Sequence, residues 1–165
     1  MTPDPAKPNL RWYQLLKPVV SSEPPSAEME GRFEVGKKAH AIIQRRFSRK
    51  LKAEHSESYT EPSLPCNINY HVDMFDKESR IVFEIKPLDW WVKNHDACLK
   101  QASGYMQFTD ARYGYFILYG LEDPRNKDKV VIKSLDVVPI QKIPWEQLRA
   151  EVLANYAVLK QRGVV

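Results

Sequence analysis

Long apolar runs are missing from this sequence. No uninterrupted hydrophobic stretch approaches the ~18 residues of a membrane span, so no membrane partner is expected. The opening Met1-Thr2-Pro3-Asp4-Pro5 has no basic region followed by an apolar one, so no secretory signal is read there. Cysteine is scarce: Cys66 and Cys98 stand alone, in no metal-ligand spacing. A reducing, cytoplasmic setting is the expectation. Two thiols also fall short of the four thiolates that an iron–sulphur cluster normally takes. Internal repeats and helicase motifs are absent, so any coupling to unwinding needs a separate chain.

What is present is an ordinary globular composition of 165 residues, 43% hydrophobic and 28% charged. This excludes a wholly disordered or fibrous chain. A chain of this length buries roughly 70% of its unfolded surface, enough for a core without staples. The net charge of +4 suits nucleic acid without demanding it. Cations gather at Lys37, Lys38, Arg45, Arg46, Arg49, Lys50 and Lys52, around His40. Such a stripe either holds phosphates or is a solvated helix face.

Residues 1–27 contain Pro3, Pro5, Pro8, Pro18, Pro24 and Pro25 and read as an N-terminal arm with one short regular piece around Leu10–Leu16. Residues 28–165 read as a single domain. Ser26 is a plausible N-cap for a helix reaching Lys52, with Gly36, His40, Ile43, Phe47 and Leu51 as its inward stripe. His55–Tyr59 reads as a polar connection, followed by turns at Pro62 and Pro65. Two strands are predicted, Asn67–Phe75 and Arg80–Lys86, joined by a hairpin loop over Asp76–Ser79. Asp89 is expected to cap a helix over Trp90–Phe108. Strands Tyr113–Tyr119, ended by Gly120, and Lys129–Val138 precede a last helix, Pro144–Gln161. This order describes an α/β (α+β) fold with a mixed sheet.

With the loop at 76–79, Phe75 faces Arg80, Asp73 faces Val82 and His71 faces Glu84. One hairpin face then carries Val72, Met74, Ile81, Phe83 and Ile85 and belongs to the core. The other carries His71, Asp73, Phe75, Arg80, Val82, Glu84 and Lys86. Asp73 and Glu84 become diagonal neighbours able to converge on one divalent cation, with an ammonium one step away. That set suits hydrolysis of a phosphodiester, which needs a placed water and positive charge where the phosphorane builds up. A salt-bridged outer face is the plain alternative.

Asp73 followed after ten residues by Glu84-Ile85-Lys86 resembles the signature of the PD-(D/E)XK nucleases. Gly36-Lys37-Lys38-Ala39-His40 upstream and Gln101-Ala102-Ser103-Gly104-Tyr105 downstream resemble two further elements of the RecB-like branch. The resemblance spans about Arg32 to Gly120. Val72 stands where the naming proline would be, and the cluster cysteines of one subgroup are missing. The resemblance implies a restriction-endonuclease-like core, a central mixed β-sheet flanked by helices. It implies Mg²⁺ or Mn²⁺ held by His40, Asp73 and Glu84, with Lys86 at the attacking water and Gln101 and Tyr105 shaping the pocket or contacting the DNA strand. It further implies single- or double-stranded DNA as substrate and a helicase or recombination protein as partner. A junction-resolving endonuclease and a non-catalytic DNA-binding or assembly subunit stand as alternatives on the same fold. His40 on an inward stripe also reads as a core histidine. Trp90 and Trp91 read either as base-stacking or as packing residues, and His71 as a phosphate contact or a surface group.

Overall fold

Eleven elements form among the described residues. The computed structural model describes residues 2–18, 24–47 and 51–165. In chain order they are β1 (Asn9–Arg11), α1 (Trp12–Leu16), α2 (Ala27–Arg46), β2 (Lys52–Tyr59), β3 (Asn67–Asp76), β4 (Ile81–Pro87), α3 (Leu88–Lys93), α4 (His95–Phe108), β5 (Tyr113–Leu121), β6 (Ile132–Pro139) and α5 (Trp145–Gln161). The strands form one six-stranded mixed sheet, ordered β1-β3-β4-β5-β6, with β2 also on β3.

Helices cover both faces. Phe116 and Leu118 of β5 join a cluster with Trp12, Leu15, Ala102, Met106, Val152 and Leu159, beneath α1, α4 and α5. Ile117 and Tyr119 point the other way and meet Ala39 and Ile43 of α2. A strand covered on both faces reads as a continuous apolar run, as Tyr115–Tyr119 does.

Several predicted boundaries move. Ser26 does cap α2, accepting from the Met29 N–H at 3.2 Å. The buried stripe of α2 is Val35, Ala39 and Ile43, which leaves His40 at its edge. The predicted helix to Lys52 ends at Arg46; Lys52 opens β2, while Arg49 and Lys50 lie outside the described residues. The polar stretch 55–59 is strand, antiparallel to β3 from Lys52↔Phe75 to Tyr59↔Ile68. The single helix after Lys86 is two helices broken at Asn94, which takes φ −122° and ψ 37°. Asp89 lies inside α3, where its carboxylate accepts from the Trp90 N–H; Pro87 is the capping position. β5 runs through Gly120, with a register shift against β6 at Gly120/Leu121.

The N-terminal segment packs into the body. β1 pairs in parallel with Asn67–Asn69 of β3. The Trp12 indole N–H donates to Gln101 O at 3.1 Å, and the Asn155 amide donates to Leu15 O at 2.6 Å.

Candidate active site

One edge of β3 is divided between two partners. β2 runs along one side of the strand from Ile68 to Phe75. On the opposite side β1 pairs with residues 67–69 and β4 with residues 74–76. Residues 70–73 therefore face a gap between the ends of β1 and β4. Beyond it β4 pairs with β5, in parallel from Ile81↔Tyr113 to Pro87↔Tyr119. A sheet that forks in this way leaves backbone donors without ladder partners, and side chains must supply them.

Asp73 and Glu84 supply them at the mouth of the fork. The hairpin register is Met74↔Phe83, Phe75↔Val82 and Asp76↔Ile81, two residues away from the expected pairing. The turn occupies 77–80 because Asp76 accepts from the Glu78 and Ser79 N–H groups, and Arg80 takes φ 57°. The shift makes Asp73 and Glu84 the next position along the ladder, closer than the diagonal expected. The Asp73 N–H donates to Glu84 Oε1 at 3.1 Å, and the Ile85 N–H donates to Asp73 Oδ2 at 2.8 Å.

Strict alternation also fails here. Val72 joins the cluster beneath α4, whereas Met74 joins the one beneath α2. The expected core face of Val72 and Met74 together is thus divided at Asp73. Across the strand pair Glu54 takes φ 57°, a left-handed conformation uncommon outside glycine. Gln44 of α2 secures the irregularity: its amide donates to Glu54 Oε1 at 2.8 Å and to Asp73 O at 3.0 Å.

The remaining predicted residues converge on the carboxylates. Lys86 Nζ lies 3.9 Å from Glu84 Oε2 and donates to Gln101 Oε1 at 2.6 Å. The Gln101 amide donates onward to the Tyr105 hydroxyl at 3.1 Å. Gln101 and Tyr105 are four apart on α4 and so share a face. From the other layer, His40 Nδ1 stands 3.5 Å from Asp73 Oδ1, with its ring edge-on to Tyr119.

Burial sets the charge of this group. Glu84 is 2% exposed. Burial and the Asp73 charge push its carboxyl well above the usual carboxylate range, against the pull of Lys86 and the Asp73 N–H. Burial pushes Asp73 up as well. The hydrogen bond and charge of His40, the Ile85 N–H and the Lys86 ammonium outweigh it and hold Asp73 below its usual range. Burial thus disfavours ionising both carboxyls, and Glu84 is the one held toward its neutral form. Burial and the two carboxylates also raise Tyr105, which keeps its proton. The Tyr119 phenol is pushed up to about 12 by burial and by the charges of Asp73 and Asp89.

Among the described residues no three His, Cys, Asp or Glu side chains stand close enough together to hold a metal ion as they are. The donor set nonetheless fits a hard divalent cation. Two buried carboxylates lie side by side, where ionising both is costly without a cation, with an imidazole opposite. Mg²⁺ and Mn²⁺ are the ions such oxygen donors suit.

Other sequence candidates lie elsewhere. His71 is half-exposed, and its imidazole meets Glu54 and Ser56. Trp91 packs on His95 and Phe116, while Trp90 is 55% exposed. His55 is buried against Phe75. Tyr115 stacks on Phe83. Sequence reasoning missed Gln44 and Trp12, the residues that fix Asp73 O and Gln101 O. Gln44 had one legible signal, its place four residues after His40 on the same helix face.

By sequence the chain matches no family model and no curated protein. By structure it is similar to the alkaline exonuclease LHK-Exo from Laribacter hongkongensis, with TM-score 0.52 and 14% identity over 93% of this chain and 89% of that one. The chain shares the fold of this exonuclease. LHK-Exo in complex with dAMP gives TM-score 0.55 and 17% identity, covering 86% of this chain and 73% of that one. The protein SSO0001 gives TM-score 0.60 at 11% identity, over 92% and 76%. The expected restriction-endonuclease-like core, a mixed sheet flanked by helices, is therefore present. Among the described residues no helix is long and apolar enough to cross a membrane.

Proposed function

We propose that this protein is a divalent-metal-dependent nuclease that hydrolyses DNA phosphodiester bonds at the fork in its sheet. One observation carries the reading: His40, Asp73, Glu84, Lys86, Gln101 and Tyr105, drawn from four elements, meet in one connected row of polar contacts. Asp73 and Glu84 hold Mg²⁺ or Mn²⁺, with His40 completing the set. When bound, the ion neutralises the phosphate and lowers the cost of the charge that builds up on it.

Lys86 places the attacking water. Its ammonium is anchored by Gln101 at 2.6 Å, so it is aimed before substrate arrives. Tyr105 fixes which way round the Gln101 amide stands: the hydroxyl accepts from the amide nitrogen and leaves Oε1 for Lys86. The water forms the new P–O bond as the ester P–O bond breaks, and the leaving oxygen takes up a proton. Two neighbours of the same fold are structures of an exonuclease, one of them with dAMP, which favours attack from an end. Any coupling to unwinding would come from a helicase or recombination protein on a separate chain, in repair, recombination or replication.

End-labelled linear and closed circular DNA, single- and double-stranded, test this in Mg²⁺, Mn²⁺ and EDTA. Linear substrates are expected to be degraded with either metal and to survive in EDTA or with Lys86→Ala. Nicking of closed circles would move the assignment to an endonuclease. Salt-sensitive binding without any cleavage would replace it with a non-catalytic DNA-binding subunit.

A further inference from the structure

The polar row accounts for one side of the fork only. The other side is a cavity of about 580 Å³, within the about 300–1,000 Å³ of sites that take small organic groups. Its floor is Gln101 and Tyr105, the far end of that row. Arg11 and Tyr13 form one wall; Ser58 and Asn69, on the open face of β2 and β3, form the other. The cavity shares Gln101 and Tyr105 with the polar row, so a strand whose phosphate sat at Asp73 and Glu84 would bring its neighbouring nucleotide to it.

The chemistry of the lining is divided. Tyr13 is 57% exposed, although Trp12 and Leu15 beside it are buried. Its ring is thus an open aromatic surface beside the cavity. Arg11 is exposed and makes no ion pair among the described residues. Ser58 and Asn69 are small polar side chains, hydrogen-bonded to each other at 2.5 Å. They leave room for a sugar and offer it donors and acceptors. The one acid in the lining, Glu57, accepts from the Tyr70 hydroxyl at 3.1 Å and lies 3.3 Å from His55 Nε2. A phosphate is repelled from that end and drawn to Arg11.

We infer that this cavity is a nucleotide subsite for single-stranded DNA. It takes the unpaired nucleotide adjoining the scissile phosphate, with its base on the Tyr13 ring and its outer phosphate at Arg11. The base must be unpaired, because a paired one reaches such a ring only by leaving its stack, which costs a few kcal/mol. The inference rests on the nuclease reading for the path of the strand, and its test is a binding measurement separate from cleavage.

Anisotropy of a short labelled single-stranded oligonucleotide, in EDTA, reads the subsite directly. Tyr13→Ala is expected to weaken binding about tenfold, the cost of one lost base–aromatic stack. Arg11→Ala should reduce the slope of log K against log salt by about 0.7, one phosphate contact on a single strand. Ser58→Trp places a bulky ring in the cavity lining and should weaken binding with Tyr13 intact. Tyr113→Ala removes an equally exposed ring at the far end of β5 and serves as the control. Circular dichroism confirms that each variant is folded. Wild-type affinity in both Tyr13→Ala and Ser58→Trp would overturn the inference, as would an equal loss for a blunt duplex. Failure to cleave would sink the nuclease reading and leave this result standing; unaltered binding in the variants would do the reverse.

Discussion

Asp73 and Glu84 each tie a carboxylate to the backbone of the opposite strand, at 2.8 and 3.1 Å. The two bonds replace ladder bonds that the diverging strands can no longer make. They also hold two acids together in a buried place, where ionising both is costly. Stability is given up there for a site that wants a cation.

Glu84→Gln should therefore stabilise the metal-free protein. Folded Glu84 keeps its proton above the usual range near 4.5, while the unfolded chain loses it there. Between the two values the folded state binds more protons, so stability falls as pH rises through that window. The substitution is expected to flatten that fall, raise the urea midpoint at neutral pH and abolish cleavage. Urea melts from about pH 5 to about pH 8 measure it; an unchanged slope would show that Glu84 is not the group behind the pH dependence.

Divalent metal should restore what the acid pair gives up. Mg²⁺ or Mn²⁺ is expected to raise the melting temperature of the wild type, by an amount equivalent to about 2.7 kcal/mol at a concentration 100 times the dissociation constant. EDTA should reverse the shift. Glu84→Gln should lose most of it and His40→Ala part of it. A thermal shift identical in all three would move the ion away from these residues.

Lys86→Ala is expected to lower kcat by about 10²–10⁴-fold, the usual worth of a placed proton-handling group. Gln101→Ala should cost less, because it leaves the ammonium present but unaimed. Gln101→Glu keeps an acceptor for Lys86 and should recover part of the loss. Single-turnover rates at saturating metal provide the comparison; a Gln101→Ala rate equal to wild type would remove Gln101 from the positioning row.

Gly104→Ala tests the tie between the N-terminal segment and α4. A Cβ at Gly104 would fall on the Trp12 indole ring. Trp12 is 2% exposed and cannot withdraw without opening the core. Overpacking of this kind costs about 1–3 kcal/mol. A lower denaturation midpoint and altered tryptophan fluorescence are expected, with weaker activity because Gln101 O loses its indole partner.

The candidate site was more legible than the sheet that holds it. Asp73, Glu84 and Lys86 sit in a hairpin whose hydrophobic alternation is strong, and Gln101 and Tyr105 in a helix of clear period. A register error of two residues did not scatter them, because a shift of two preserves the face of every side chain. β2 was missed because Lys-Ala-Glu-His-Ser-Glu-Ser-Tyr has none of the branched residues that mark strands. It is strand because β3 offers it an edge, a tertiary cause that local composition does not carry. β1 was hidden for a similar reason: its three residues lie among prolines and gain their bonds from Asn67–Asn69. The break at Asn94 and the irregularity at Asp73 also belong to packing, not to pattern.

The divided edge of β3 has a consequence for the order of assembly. The hairpin of β3 and β4 closes over a four-residue turn, so the acidic pair forms from neighbours in the chain. The wall opposite needs Asn9 to find Asn67, a separation of 58 residues. Contacts that distant form late, because loop closure must be offset before they contribute. Pulse-labelled hydrogen exchange should show protection at Phe83 before Leu10. During synthesis and refolding, the acids would gather first and acquire their enclosing wall last.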